Sequence, residues 1–303
     1  MATETTAVLE LLTVGRICVD LYAEQLRVPI REVESFRKSI GGTATNVAVA
    51  AARLGRRAAV FTRLGDDEFG GYVRWALAER FGVDTRFVGT DADMKTPLAF
   101  ASLEDPGEPS IIFYRQPQAP DMRITPAEVD RDVVESVPIL WFPTSCLSAE
   151  PSRSTIHELL QWRRRRTHTV LDLDWRPQFW SDPSEARGQL TMALGEVTMA
   201  IGNRAECEVA IGESDPERAA EALLARGLSA AIVKMGGDGV LVATAGGVRE
   251  RIAPHPVEVV CGLGAGDAFG GALCHGLLSG WDLVECARAG NIAGAIVASR
   301  LMC

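Results

Sequence analysis

Short apolar runs alternate with longer amphipathic stretches along most of the chain. Residues 9–15, 58–64, 139–143, 169–172, 199–202 and 230–235 read as strands. Residues 45–54, 69–81, 126–136, 152–165, 216–226, 268–278 and 284–299 read as helices. This alternation predicts an α/β fold with three layers, α/β/α, around a mainly parallel sheet. Ligands of such folds gather at the carboxyl ends of the strands, so motifs that follow strands carry most weight. Two stretches, about 22–40 and 96–115, break the alternation with strand- and turn-like sequence. Together they predict a small antiparallel β lid over the open edge of the sheet. No repeat, low-complexity tract or long linker divides the chain, so residues 1–303 read as a single domain carrying that lid.

In Cys261-Gly262-Leu263-Gly264-Ala265-Gly266-Asp267, a glycine-rich turn runs straight into the 268–278 helix. Backbone N–H groups of such a turn, with the positive end of the helix dipole, form a pocket for anions. Asp267 stands where turn becomes helix, placed to accept a proton from a hydroxyl attacking phosphorus. The pattern points to phosphoryl transfer to an alcohol; an N-cap carboxylate and a plain tight turn are the alternatives. No Gly-Lys-Ser/Thr occurs, and no G-x-G-x-x-G follows the first strand. The second absence argues against a nicotinamide dehydrogenase.

With 47% hydrophobic residues over 303 positions, the chain can bury a full core. A net charge of −9 argues against a nucleic-acid partner without excluding small anions. The seven cysteines show no C-x-x-C spacing, and an odd count cannot pair completely, which suggests a reducing, cytoplasmic compartment. The N-terminus has no basic region followed by an apolar core, and no apolar run approaches about 18–20 residues. A soluble protein with no membrane partner is expected. The run Arg163, Arg164, Arg165 and Arg166 reads as a solvated helix end. His157-Glu158 lacks the second histidine of a zinc-protease helix, because Gln161 stands there.

Gly264-Ala265-Gly266-Asp267 with Ala268-Phe269 resembles the C-terminal signature of the ribokinase-like (PfkB) carbohydrate kinases. Gly41-Gly42-Thr43-Ala44-Thr45-Asn46, followed by Ala52-Arg53-Leu54-Gly55, resembles their N-terminal signature. Gly65-Asp66-Asp67 with Phe69-Gly70, then Asn203 with Glu206, then Lys234 with Gly236 and Gly239, follow in family order across nearly the whole chain. Gly15-Arg16, Asp20-Leu21-Tyr22, Phe113-Tyr114-Arg115 and Asp172-Leu173-Asp174-Trp175-Arg176-Pro177 narrow the resemblance to one branch. That branch phosphorylates a ring-opened keto-sugar acid of myo-inositol breakdown, 5-dehydro-2-deoxygluconate, on its terminal 6-hydroxyl.

The resemblance implies a ribokinase-like fold and an ATP-dependent kinase using Mg²⁺. It makes Asp267 the catalytic base and places an anion hole at Gly264, Ala265 and Gly266. Substrate would be met by Asp20, Gly41, Gly42 and Asn46. Arg115 and Arg176 would take the acid end, since a guanidinium fork matches a carboxylate; surface ion pairs are the alternative for both. The nucleotide would be met by Asn203, Lys234, Gly236, Gly239 and Asn291, with Glu206 ordering Mg²⁺ through water. Asn203 and Glu206 also fit a helix cap, Lys234 an exposed strand position, and Asn291 the core or surface of the last helix. Lids of the family often pair between subunits, which makes a homodimer an expectation. Cys261-Gly262 stands where relatives commonly carry Asp-Thr, leaving K⁺ activation open. Asp174 replaces a commoner asparagine, and the end at Cys303 suggests a shortened C-terminal extension. Other sugar kinases of the family, acting on 2-keto-3-deoxygluconate or fructose, and a non-catalytic sugar sensor are the competing readings.

Overall fold

The computed structural model describes residues 8–105, 109–166 and 168–301, so the end at Cys303 lies outside the described residues. The strands are β1 (Leu11–Val14), β2 (Cys18–Ala23), β3 (Phe36–Gly41), β4 (Ala58–Gly65), β5 (Val88–Asp91), β6 (Leu98–Ser102), β7 (Ser110–Tyr114), β8 (Ile139–Pro143), β9 (Thr169–Asp172), β10 (Met199–Asn203), β11 (Ala230–Lys234), β12 (Val240–Thr244) and β13 (Arg249–Ile252). The helices are α1 (Thr43–Arg53), α2 (Glu68–Trp75), α3 (Arg131–Ser136), α4 (Ser152–Arg163), α5 (Ala186–Glu196), α6 (Arg204–Ile211), α7 (Pro216–Ala225), α8 (Ala265–Leu278) and α9 (Leu283–Ala298).

Nine strands form one sheet in the order β13-β12-β11-β10-β9-β8-β1-β4-β5. It is parallel from β11 to β5, and β12 and β13 add an antiparallel edge. Successive side chains on a strand face opposite ways, and the two cores divide accordingly. Leu12, Val14, Phe61, Leu140 and Phe142 pack with Leu159, Leu190 and Leu223, under α4, α5 and α7. Leu11, Val60, Ile139 and Trp141 pack with Val47, Val73, Phe269 and Ala287, under α1, α2, α8 and α9. This is the expected three-layer α/β/α arrangement.

The lid is a four-stranded sheet in the order β3-β2-β6-β7. It departs from the wholly antiparallel expectation, because β2 and β6 run parallel, with Val19 opposite Leu98. The connection between them passes through α1, β4, α2 and β5, which is the long crossover that parallel neighbours require. The lid also begins earlier than expected, at Cys18, and residues 106–108 of its second segment lie outside the described residues. The 126–136 segment is not one helix: a short turn at Pro126–Glu128, capped by Thr125 and Glu128, is followed by extended Val129 before α3 begins. The six described cysteines are all buried free thiols. Among the described residues no helix is long and apolar enough to cross a membrane.

The chain leaves β1 towards β4 on one side and β8 on the other, so strand order reverses at β1. Crevices at such reversals, outside the carboxyl ends of the strands, are where open α/β sheets bind ligands.

Candidate active site

A cavity of about 590 Å³ opens at that reversal, lined by residues after β1, β9, β10 and β11, by the start of α8 and by the inner face of the lid. Gly264 takes a left-handed conformation, φ 77°, and turns the chain into α8. The first N–H groups of a helix lack intrahelical acceptors, so the turn at Gly264, Ala265 and Gly266 offers donors to an anion. Gly264 and Gly266 line the cavity; Ala265 does not. A Cβ added to Gly266 would come within 3.3 Å of Nζ of Lys234, so the ammonium stands beside the helix tip. Among the described residues Lys234 makes no ion pair within 4.0 Å.

Asp267 lies in the first turn of α8, while the cap position is Gly264. The N-cap alternative is therefore not the one adopted. Its Oδ2 accepts a hydrogen bond of 2.8 Å from Nδ2 of Asn46 on α1. The two helices approach this closely because α8 is small-sided there: a Cβ on Gly271 would overlap that of Ala50. Burial pushes the Asp267 carboxyl up to about 6; the Asn46 hydrogen bond opposes this, neighbouring Asp174 adds to it, and Arg16 and Lys234 oppose it. A carboxylate near neutrality, facing a cavity, suits a general base.

At the lid end, Asp20 accepts from the Cys18 thiol at 3.1 Å and the Tyr22 hydroxyl at 3.3 Å. Gly41 and Gly42 were expected to admit substrate. Gly41 does not line the cavity; its missing side chain makes room for the Asp20 carboxylate. Gly42 lines it with φ 106°, and a Cβ there would overlap the carbonyl of Arg16. Both positions need glycine first for protein contacts.

Arg115 is corrected in the same way. Its guanidinium is bidentate on Asp121, at 3.1 and 2.5 Å, and lies 4.9 Å from the Phe179 ring. Fully buried Asp121 also accepts from the Ile17 N–H at 2.9 Å, and Arg115 does not line the cavity. Arg176 does line it, with Nη2 2.8 Å from Oδ1 of Asp174. Asp174 further accepts from Thr43 Oγ1 at 2.7 Å.

Towards β10 and β11, Asn203 and Glu206 form a reciprocal cap on α6, with bonds of 2.9 and 2.6 Å, and both line the cavity. The cap and the site use the same residues. Gly236 lines the cavity with open space around it. Gly239 does not, and its φ of 89° and contact with the Ile252 carbonyl serve the packing of the turn into β12 against β13. Asn291 is also outside, donating to the Ala253 carbonyl at 3.0 Å. Among the described residues no three His, Cys, Asp or Glu side chains group closely enough to hold a metal by themselves. Mg²⁺ commonly keeps several waters and is held through one or two carboxylates and substrate phosphates, and Glu206 is a carboxylate on the cavity wall that could meet such a shell.

Residues that sequence reasoning did not assign are Arg16, Thr43, Asp172 and Asp174, all lining the cavity. Their signal was position: Arg16 follows β1, and Asp172 ends β9. Burial pushes the Asp172 carboxyl up to about 8, against the opposing charge of Lys234 and with the repulsion of Asp174, Glu206 and Asp267. One lysine thus stands among four carboxyls.

A sequence model of the pfkB family carbohydrate kinases matches residues 8–303. The chain is 30% identical to the 5-dehydro-2-deoxygluconokinase of Geobacillus thermodenitrificans, covering 97% of this chain and 89% of that one. It is 31% identical to the enzyme of the same name from Shouchella clausii, over 96% and 90%. Among solved structures, a PfkB protein from Polaromonas sp. JS666 superposes with TM-score 0.85 at 26% identity, covering 97% of each chain. A putative ribokinase II from E. coli, solved with ATP and Mg²⁺, shares the fold with TM-score 0.86 at 24% identity, over 96% and 93%.

Proposed function

Because the chain belongs to the pfkB family carbohydrate kinases and is an ATP-dependent sugar phosphotransferase, we propose that its acceptor is a keto-sugar acid, 5-dehydro-2-deoxy-D-gluconate, phosphorylated on the terminal 6-hydroxyl in myo-inositol breakdown. The observation that carries this reading is a cavity with two unlike ends. Asp267, the tip of α8 and Lys234 make an anion-binding end, and Arg16 and Arg176, which share the one carboxylate of Asp174, make a second cationic group, with Arg16 against Phe113 of the lid. The names of the two relatives above agree with it.

In the reaction, the 6-hydroxyl oxygen bonds to the γ-phosphorus, the bond from that phosphorus to the ADP oxygen breaks, and Asp267 takes the hydroxyl proton. Asn46 holds Asp267 in place. The amides at Gly264, Ala265 and Gly266, with Lys234, meet charge on the phosphoryl oxygens, a preorganised site that needs no rearrangement as charge develops. Asn203 and Glu206 face the nucleotide side, where bound Mg²⁺ would neutralise phosphate charge. Cys261 is buried, and burial raises its thiol pKa, so a neutral thiol stands there in place of a carboxylate; K⁺ activation is not part of the proposal.

A panel of acceptors assayed by ADP release tests the substrate class. The keto-acid should give the highest kcat/KM, and best turnover on fructose or another neutral hexose would overturn the reading in favour of a different kinase of the family. Arg176→Ala should raise KM for the acid by about 10- to 100-fold, as expected for losing a charged hydrogen bond, with kcat little changed.

Two copies are proposed to pair through the outer face of the lid sheet. Ile112 and Tyr114 are 43% and 63% exposed there, and Tyr114 meets Phe100 edge-on at 5.4 Å. Sedimentation should show a dimer that Tyr114→Glu converts to monomer; a wild-type monomer at micromolar concentration removes the proposal.

A further inference from the structure

Arg16 sits at the reversal of strand order and is only 7% exposed, yet it lines the cavity. Its guanidinium lies 5.5 Å from the rings of both Phe113, on lid strand β7, and Phe179, a cation–π seat that fixes its plane. Nη2 donates to Thr43 Oγ1 at 2.7 Å and to Asp174 Oδ2 at 3.5 Å. The other oxygen of Asp174 takes Arg176 at 2.8 Å. One carboxylate is therefore shared between two guanidinium groups that stay charged at every working pH. Asp20 attracts Arg16 from farther off, but it forms no ion pair with Arg16 within 4.0 Å among the described residues, and its oxygens accept from Cys18 and Tyr22. Arg115 nearby is already neutralised by Asp121.

The hydrogen-bond count points the same way as the charge count. Nε of Arg16 and Nε of Arg176 are both buried with no acceptor. Buried donors are nearly always paired, so an orphan in a cavity wall asks for a ligand oxygen. Two such orphans flank the same Asp174.

We infer that Arg16 is a specificity residue which, with Arg176, receives the carboxylate of the acceptor. The inference rests on the keto-acid reading above and goes beyond it by assigning the acid end to Arg16 rather than to Arg115. The geometry of α1 fits the assignment. Thr43 holds Arg16, and Asn46, three residues on, holds Asp267. Residues so spaced share a helix face with Cβ atoms about 5–6 Å apart. One helical turn thus sets the distance between the acid end and the phosphoryl-accepting end of a short chain.

The test compares kcat/KM for 5-dehydro-2-deoxygluconate with that for its neutral primary amide, in the wild type, in Arg16→Gln and in Arg16→Lys. The acid-to-amide ratio should fall about 10- to 100-fold in Arg16→Gln and less in Arg16→Lys, which keeps charge but loses the fork. A ratio unchanged within about twofold in a variant that melts cooperatively overturns the assignment of Arg16. A wild type that does not prefer the acid overturns the keto-acid reading instead, so the two failures are distinct. Where the variants do not fold, ¹⁵Nε–H spectra of wild-type protein labelled on arginine give the answer. Adding the acid, but not the amide, should move two arginine Nε–H signals, one of which is missing in Arg176→Ala. Movement of that signal alone would refute the proposal.

Discussion

Asp267→Asn should lower kcat by about 100- to 10,000-fold, the contribution of a positioned general base, while nucleotide affinity stays near that of the wild type. Asparagine keeps the size of the side chain and still has a carbonyl oxygen to accept from Asn46, so the helix contact at 2.8 Å survives. What is lost is the capacity to take a proton. Stopped-quench turnover and nucleotide titration of the same sample separate the two effects. A loss of turnover matched by a loss of nucleotide binding would assign Asp267 to holding phosphate, not to the hydroxyl. The pH profile adds a second check. Burial raises the Asp267 pKa to about 6, and the base works only when ionised. kcat/KM should therefore be level above that pH and fall tenfold per pH unit below it.

Lys234→Met should weaken turnover by about 100- to 1,000-fold, the scale for removing one donor from a preorganised anion site. Methionine keeps the length of the stem and deletes the charge beside Gly266. The loss should appear in KM for nucleotide as well as in kcat, because in the proposed mechanism the ammonium faces phosphate before and during transfer. It should also move the acid limb of the pH profile upward. Lys234 lowers the pKa of Asp267 and of Asp172, so its removal leaves those carboxyls to repel one another. An unchanged limb would mean that Lys234 is too far from the base to sense it, and the geometry at the helix tip would be wrong.

Much of the fold is legible because its central strands are buried on both faces. β8 and β9 fall at the expected residues: both are buried throughout, and β8 is wholly apolar between turn signals. The edge strand β13 was not foreseen, since Arg249, Glu250 and Arg251 carry no apolar run and its pairing is with β12 alone. Helix α5 was missed because Gly188 and Gly195 interrupt a pattern with little amphipathic bias. The parallel pairing of β2 with β6 depends on a crossover of several elements, which no local pattern reports.

The site divides similarly. The α8 turn and Asp267 stand out as candidates because turn, carboxylate and helix are adjacent in sequence, whereas Asn46, 221 residues away, is named only through the signature it stands in. Arg115 and Arg16 were not distinguishable, because both follow or end apolar runs. What separates them is which carboxylate each meets: Asp121 saturates Arg115, while Asp174 reaches Arg16 from 158 residues away and shares itself with Arg176. Gly41 and Gly239 show the reverse case, where a motif glycine is needed to clear a protein group, Asp20 or the Ile252 carbonyl, and not a ligand.

Phosphorus and carbon NMR of the product formed from ATP, Mg²⁺ and 5-dehydro-2-deoxygluconate test the account most directly. One phosphate monoester per ADP, coupled to the terminal CH₂ carbon, is the outcome predicted. ADP with free phosphate and unchanged acid, or ester formed only with a neutral sugar, would contradict it.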